Sequence, residues 1–175
     1  MSNVANVPEL INNFNVYKGG NALIGLSAEV KLPDLSQISE TISGAGILGE
    51  YDSAIVGAYS STEMEIPFRT LDDDIFTLMN PTEVLDLTLR ASQQYMVKAT
   101  GQQDYKGMRV VVRGKMKKFT PGTVKQGTQM NASVTVEVFY ILIEVDGKKM
   151  LELDKLNSIF VVNGVDVLSK VKKLC

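Results

Sequence analysis

Apolar and polar positions alternate with period two along most of this chain, and that period predicts strands. Across residues 22–32, Ala22, Ile24, Leu26, Ala28, Val30 and Leu32 fall on one side, with Ser27, Glu29 and Lys31 on the other. Pro33 ends this expected strand, since proline has no N–H for a sheet ladder. Thr62, Met64, Ile66 and Phe68 repeat the pattern against Glu63, Glu65 and Arg69. Further strands are expected over residues 88–100, 109–119, 134–144, 149–154 and 159–162. In the third of these, Val134, Val136, Val138, Tyr140 and Leu142 share one face, while Phe139, Ile141 and Ile143 share the other. Two apolar faces predict a central strand covered on both sides. Asp146-Gly147 is the signal for a tight hairpin to the next strand.

Elsewhere the alternation fails. Residues 1–17 are rich in asparagine, and an irregular lead-in is expected over residues 1–20. From residue 40 to 61, Gly44, Gly46, Gly49 and Gly57 are scattered among Ile47, Leu48, Ile55 and Val56 without a clean period. This predicts a long mobile loop whose apolar content implies that something covers it. Asp72, Asp73 and Asp74 precede Ile75, Phe76, Leu78 and Met79, the pattern of a short helix with carboxylates at its N-terminus, ended by Asn80-Pro81. A turn-rich loop follows around Pro121, Gly122 and Gly127. The tail, residues 165–174, has the spacing of a helix with Val165, Leu168 and Val171 inward, and Lys170, Lys172 and Lys173 suit its C-terminal end. The expectation is a mainly β chain with one or two short helices, without repeat or linker, forming one domain over residues 1–175.

Composition narrows the function. Hydrophobic residues make up 45% of the 175 and charged residues 22%, a soluble globular balance. The net charge of −2 exerts no general pull toward nucleic acid or an anionic membrane. No secretory signal is expected, because residues 1–10 lack a basic stretch followed by an apolar run. There is no histidine, which removes the commonest general base and the usual imidazole ligand. The one cysteine, Cys175, is the last residue, so neither an intrachain disulfide nor a thiolate metal site is expected. No catalytic, cofactor or metal site is predicted.

Three motifs point to chemistry, and each has a plainer reading. Gly44-Ala45-Gly46-Ile47-Leu48-Gly49 has the G-x-G-x-x-G spacing of a dinucleotide-binding loop, with Glu63 or Glu65 as ribose-binding acid. That site needs a buried strand before the glycines and a helix after them. Residues 36–43 are too polar for the strand, and residues 50–53 have no helical period. The Asp72-Asp73-Asp74 run could hold a hard cation, but consecutive side chains diverge and helix capping suffices. Arg109, Arg113, Lys115, Lys117 and Lys118 could meet phosphates. With 7% aromatics there is no stacking set, and pairing with acids such as Glu137 and Glu152 accounts for them. The seven methionines from Met64 to Met150 read as adaptable filler of a core or interface.

Several segments, in order, resemble the major tail tube protein of contractile-tailed bacteriophages and of the related R-type bacteriocins. They are Val30-Lys31-Leu32-Pro33-Asp34-Leu35, Gly44-Ala45-Gly46 with Gly49, Val111-Val112-Arg113-Gly114-Lys115, Lys125-Gln126-Gly127, residues 140–154 and Val162-Asn163-Gly164-Val165-Asp166. No one of them is specific; the series is. The resemblance implies a β-sandwich or barrel-like tail tube fold with a flanking helix. It implies six copies in a ring, sheets joined into one barrel around a lumen, and rings stacked helically into a tube inside a sheath. It implies tail sheath, tape measure and baseplate partners, synthesis in the bacterial host cytoplasm, and a place in a virion tail or bacteriocin particle. The tube would pass DNA in a phage or open a leak path in a bacteriocin. A lumen for DNA should be acidic or neutral. Gly44, Gly46, Ile47, Leu48, Gly49, Tyr51, Ile55 and Val56 are the expected subunit-interface residues. A dinucleotide-binding enzyme and a small nucleic-acid-binding β module are the competing readings.

Overall fold

The computed structural model describes residues 6–175. In chain order the elements are β1 (Val7–Lys18), β2 (Asn21–Ala22), β3 (Gln37–Ser43), β4 (Glu50–Tyr59), β5 (Glu63–Phe68), α1 (Asp73–Phe76), β6 (Leu85–Met96), β7 (Gln103–Thr120), β8 (Ala132–Val145), β9 (Lys148–Asp154), β10 (Ile159–Val162), β11 (Val165–Asp166) and α2 (Ser169–Leu174). The chain is mainly β with two short helices, as expected. One antiparallel sheet runs β11-β10-β9-β8-β7-β6-β1-β2, with β5 also on β8; β3 and β4 form a separate two-stranded sheet.

The long strand β8 organises the molecule. One edge pairs with β7, while the other is shared between β5 on its first half and β9 on its second. At the fork, the Val138 N–H donates to the Thr62 carbonyl at 2.7 Å and the Lys155 N–H to the Phe139 carbonyl at 2.9 Å. The β7–β8 register slips here: Arg113 faces Tyr140 and Gly114 faces Val138, so Phe139 is an extra residue. A bulge inverts the side-chain parity beyond it. Val134, Val136 and Val138 therefore share the core face with Ile141, and Tyr140 and Leu142 turn to the other face. This corrects the expectation of two apolar faces. The strand is central, and most of its apolar residues follow one face through a phase shift, with Leu142 buried on the other. Gly114 is required at the slip, because a Cβ there would lie 2.2 Å from the Glu137 carbonyl oxygen.

The core has two parts. Val16, Leu89, Ala91, Val110, Val112, Val138, Ile141, Leu153 and Phe160 fill the first. Ile66, Phe68, Leu85, Leu87, Ala132, Val134 and Val136 fill the second, which Ile75 and Leu78, in and just after α1, close at one end. The helix starts as expected: Asp72 Oδ1 accepts from the Asp73 N–H at 2.8 Å.

Four further expectations need correction. Residues 7–18 are no irregular lead-in but strand β1, paired with β6 along its length; residues 1–5 of that expectation lie outside the described part. The strand hid because register shifts between Pro8 and Leu10 and between Ile11 and Asn13 break its phase, leaving a clean alternation only over Asn13, Phe14, Asn15 and Val16. The strand expected over residues 22–32 is an irregular strap across the core face. Gly25, at φ 84°, breaks the alternation, so Leu23, Leu26, Val30 and Leu32 pack inward while Ile24 is exposed. Residues 97–100 belong to the β6–β7 turn rather than a strand. In the tail, Leu168 packs inward but Val165 and Val171 are exposed.

Candidate assembly surfaces

The expected loop over residues 40–61 is instead the hairpin β3–β4, with Ser43 opposite Glu50 near its tip and Ser39 opposite Ala54 lower down. Its alternation is invisible in sequence because both faces carry apolar and polar residues and neither is buried. Gly44, Gly46, Ile47, Leu48, Gly49, Tyr51, Ile55 and Val56 are all exposed. The first five crowd the tip. Leu48 is fully in solvent, and Tyr51, Ile55 and Val56 are each just over half exposed. The G-x-G-x-x-G spacing therefore spans a strand-to-strand turn, without the helix that a dinucleotide phosphate would need. Glu63 sits on β5 and is engaged by Lys117.

The hairpin is fixed at its foot. The Ser60 N–H donates to the Ser36 carbonyl at 3.0 Å, and the Tyr59 ring packs edge-on against Phe160 at 5.5 Å. Lys155 Nζ donates to the Ser60 carbonyl at 2.7 Å and to Thr62 Oγ1 at 2.9 Å; burial pushes its pKa down. Beside it, burial raises the Glu137 carboxyl. Hydrogen bonds from Ser61 Oγ, Lys117 Nζ and the Thr62 N–H together outweigh that and hold it below its ordinary value.

A second surface is the sheet face turned away from the core. Three of its basic residues, Arg109, Arg113 and Lys117, are matched across strands, while Lys115 and Lys118 have no ion pair among the described residues. Arg113 Nε lies 3.1 Å from Asp86 Oδ2, and Lys117 reaches both Glu63 and Glu137. Arg109 Nε lies 2.7 Å from Glu144 Oε2, close enough for an ion pair, though its N–H is not aimed at the oxygen. The Arg113 guanidinium also covers the Tyr140 ring at 4.8 Å. Burial, then a hydrogen bond to Glu152, pushes the Tyr140 phenol up to about 12. Glu152 thus serves Tyr140 and Lys149, not the β7 cations. Val111 and Leu142 lie buried on this same face between the charged residues. Of the acids, Asp86 and Glu144 were not foreseen; cross-strand register alone identifies them.

A third feature is a three-stranded extension with open edges. Residues 7–13 of β1, 92–96 of β6 and 103–107 of β7 continue past the end of β8. Among the described residues, 7–15 have no strand on the side away from β6, and 103–106 have none on the side away from β6 either. Leu10, Ile11 and Tyr105 are about half exposed there. The asparagine-rich composition gave no hint of this edge.

The aspartates at 72–74 cap α1 and tie down the strap, Asp74 Oδ2 accepting from the Ile24 N–H at 2.6 Å. Among the described residues no cluster of acids or cysteine has metal-ligand grouping, and no helix is long and apolar enough to cross a membrane.

Comparison with known proteins identifies the family of the chain. Residues 8–174 match the profile of the family described as Phage tail tube protein FII. The chain is similar to the tail tube protein of Escherichia phage P2, 29% identical over 168 residues, covering 95% of this chain and 96% of that protein. It is also similar to the major tail tube protein of Serratia phage KSP20, 26% identical over 163 residues and 90% of each chain.

Proposed function

Because the chain belongs to the phage tail tube protein FII family, we propose that it builds the tail tube by closing six copies into a ring and stacking the rings. It is a structural tail subunit, not an enzyme, and its place is the virion tail. The observation that carries the ring-and-stack reading is the β3–β4 hairpin, which stands apart from the nine-stranded sheet with Ile47, Leu48, Tyr51, Ile55 and Val56 uncovered. An exposed apolar arm of this kind is an interaction surface awaiting its partner. The open edges at residues 7–15 and 103–106 support lateral closure, since edges paired between neighbours no longer invite uncontrolled pairing.

Residues 1–175 act as a single tail tube domain in this reading, with Gly44, Gly46, Ile47, Leu48, Gly49, Tyr51, Ile55 and Val56 at contacts between copies. The polar sheet face is the wall of the lumen. There Asp86, Glu137 and Glu144 hold Arg113, Lys117 and Arg109 in ion pairs, which reduces the free positive charge able to grip passing phosphates. DNA then moves through without sequence recognition. Sheath, tape measure and baseplate proteins meet the outside and ends of the tube, and the subunit is made in the host cytoplasm. Sedimentation velocity at rising protein concentration tests the reading: growth into fast-sedimenting assemblies is expected, and a strict monomer at every concentration overturns it.

A further inference from the structure

The hairpin tip and the C-terminal segment are complementary in charge and in apolarity, and we propose that the tip of one copy docks on the C-terminal segment of a copy in the next ring. The inference rests on the tube reading above and names the contact by which rings stack. Between Lys31 and Arg69 the chain has no lysine or arginine, yet it carries Asp34, Glu40, Glu50, Asp52, Glu63 and Glu65. Glu40, Glu50 and Asp52 flank the apolar tip, and none of the three is ion-paired among the described residues. The end of the chain is the converse. After Asp154 it carries Lys155, Lys170, Lys172 and Lys173 against one acid, Asp166. Lys172 occupies Asp166 at 3.1 Å, which leaves Lys170 and Lys173 without a partner among the described residues. In the same segment Val165, Val171 and Leu174 are 65%, 51% and 87% exposed.

One surface is acidic and apolar, the other basic and apolar. Joining them removes both apolar sets from water and brings opposite charges to the rim, where they steer and orient the contact. The geometry excludes an internal version. Gly57, at the foot of β4, lies against Leu168 so closely that a Cβ would come within 2.9 Å of its Cδ2. The C-terminal segment therefore sits at the foot of its own hairpin. The tip is the length of β3 away, seven residues, or roughly 20 Å at the rise of a strand. A tip-to-foot contact between copies joins two different surfaces, so it is heterologous, and where the rotation between copies does not close a ring it repeats along an axis. Lateral edges make the ring, and the hairpins stack it.

Cys175, exposed and the chain's one cysteine, makes the test direct. Ala45→Cys places a second thiol at the exposed tip without altering its apolar residues. Treated as tubes with a short bismaleimide and run on a denaturing gel, this variant should give a ladder of linked chains well beyond dimer. The unmodified chain and Ala45→Cys/Cys175→Ser should give dimers at most. In parallel, Lys170→Glu/Lys173→Glu should raise the concentration needed for tube formation about tenfold. Glu40→Lys/Glu50→Lys should do the same, and the two sets combined should restore it. Tubes that form without the ladder, or a combined variant no better than either reversal, overturn this contact and leave the tube reading standing. A chain that forms no tubes overturns both.

Discussion

Lys155 donates to the main-chain oxygen of Ser60 at 2.7 Å, which fastens the foot of the protruding hairpin to the residue that follows β9. The same ammonium reaches Thr62 Oγ1, in a residue only 1% exposed. Lys155→Met keeps much of the side-chain stem but removes both donors and leaves their acceptors poorly satisfied. It should cost about 1–2 kcal/mol of subunit stability and speed amide exchange in β3 and β4. Urea denaturation of the unassembled variant checks the first and hydrogen exchange the second. An unchanged midpoint would show that the foot is held by the Ser36–Ser60 bonds alone.

Acid should loosen the same region. Glu137 has a folded pKa below its ordinary 4.5, so as pH falls the unfolded chain takes up the proton first. The stability it contributes is present above about pH 4.5 and is lost as pH drops through the folded value. Glu152, through its bond from Lys149, shifts the same way. Stability should therefore decline between about pH 5 and pH 3, and Glu137→Gln should make that decline shallower. Urea midpoints across the range test this; parallel curves for the two proteins would count against it.

The bulge at Phe139 separates neighbouring residues by their consequences. Ile141 lies in the core with Leu153, whereas Tyr140 lies on the polar face under Arg113. Ile141→Ala should cost about 2–5 kcal/mol, as buried large-to-small changes do, and folded subunits for assembly should become scarce. Thermal melts of the unassembled protein decide the matter. An Ile141→Ala subunit that melts normally yet fails to assemble would place this residue at an interface instead.

Ile47→Ser with Leu48→Ser should leave the isolated subunit within about 0.5 kcal/mol of the parent, since neither side chain packs on the core. Tube formation should be lost or sharply weakened. Normal assembly by this variant would remove the hairpin from the contacts between copies.

What could be read from the sequence follows from which residues have only one place to go. Asp146-Gly147 forms its turn as expected, both residues at positive φ (52° and 71°), because few other pairs tolerate that backbone. Asp72 likewise caps its helix. The hairpin at residues 37–59 could not be read as strand. Alternation reports a difference between a wet face and a dry one, and this element has no dry face until something covers it. Its exposed apolar residues were legible as a surface needing a cover, but not its shape. The strap misled for a different reason: Gly25 shifts the phase of an alternation that looks continuous in letters. The β8 bulge depends on the register between Arg113 and Gly114, a relation between strands that one strand's pattern cannot contain. The same holds for Asp86 and Glu144, which become partners of Arg113 and Arg109 only once the strands are aligned.

The central claim is that this subunit closes into rings and that the rings stack into a hollow tube. Negative-stain electron microscopy of the purified chain, concentrated without other tail proteins, tests this. Hollow rings or tubes of uniform diameter are expected, with an axial repeat and a central channel that takes up stain. A field of small separate particles at every concentration, or solid fibrils without a channel, would contradict it.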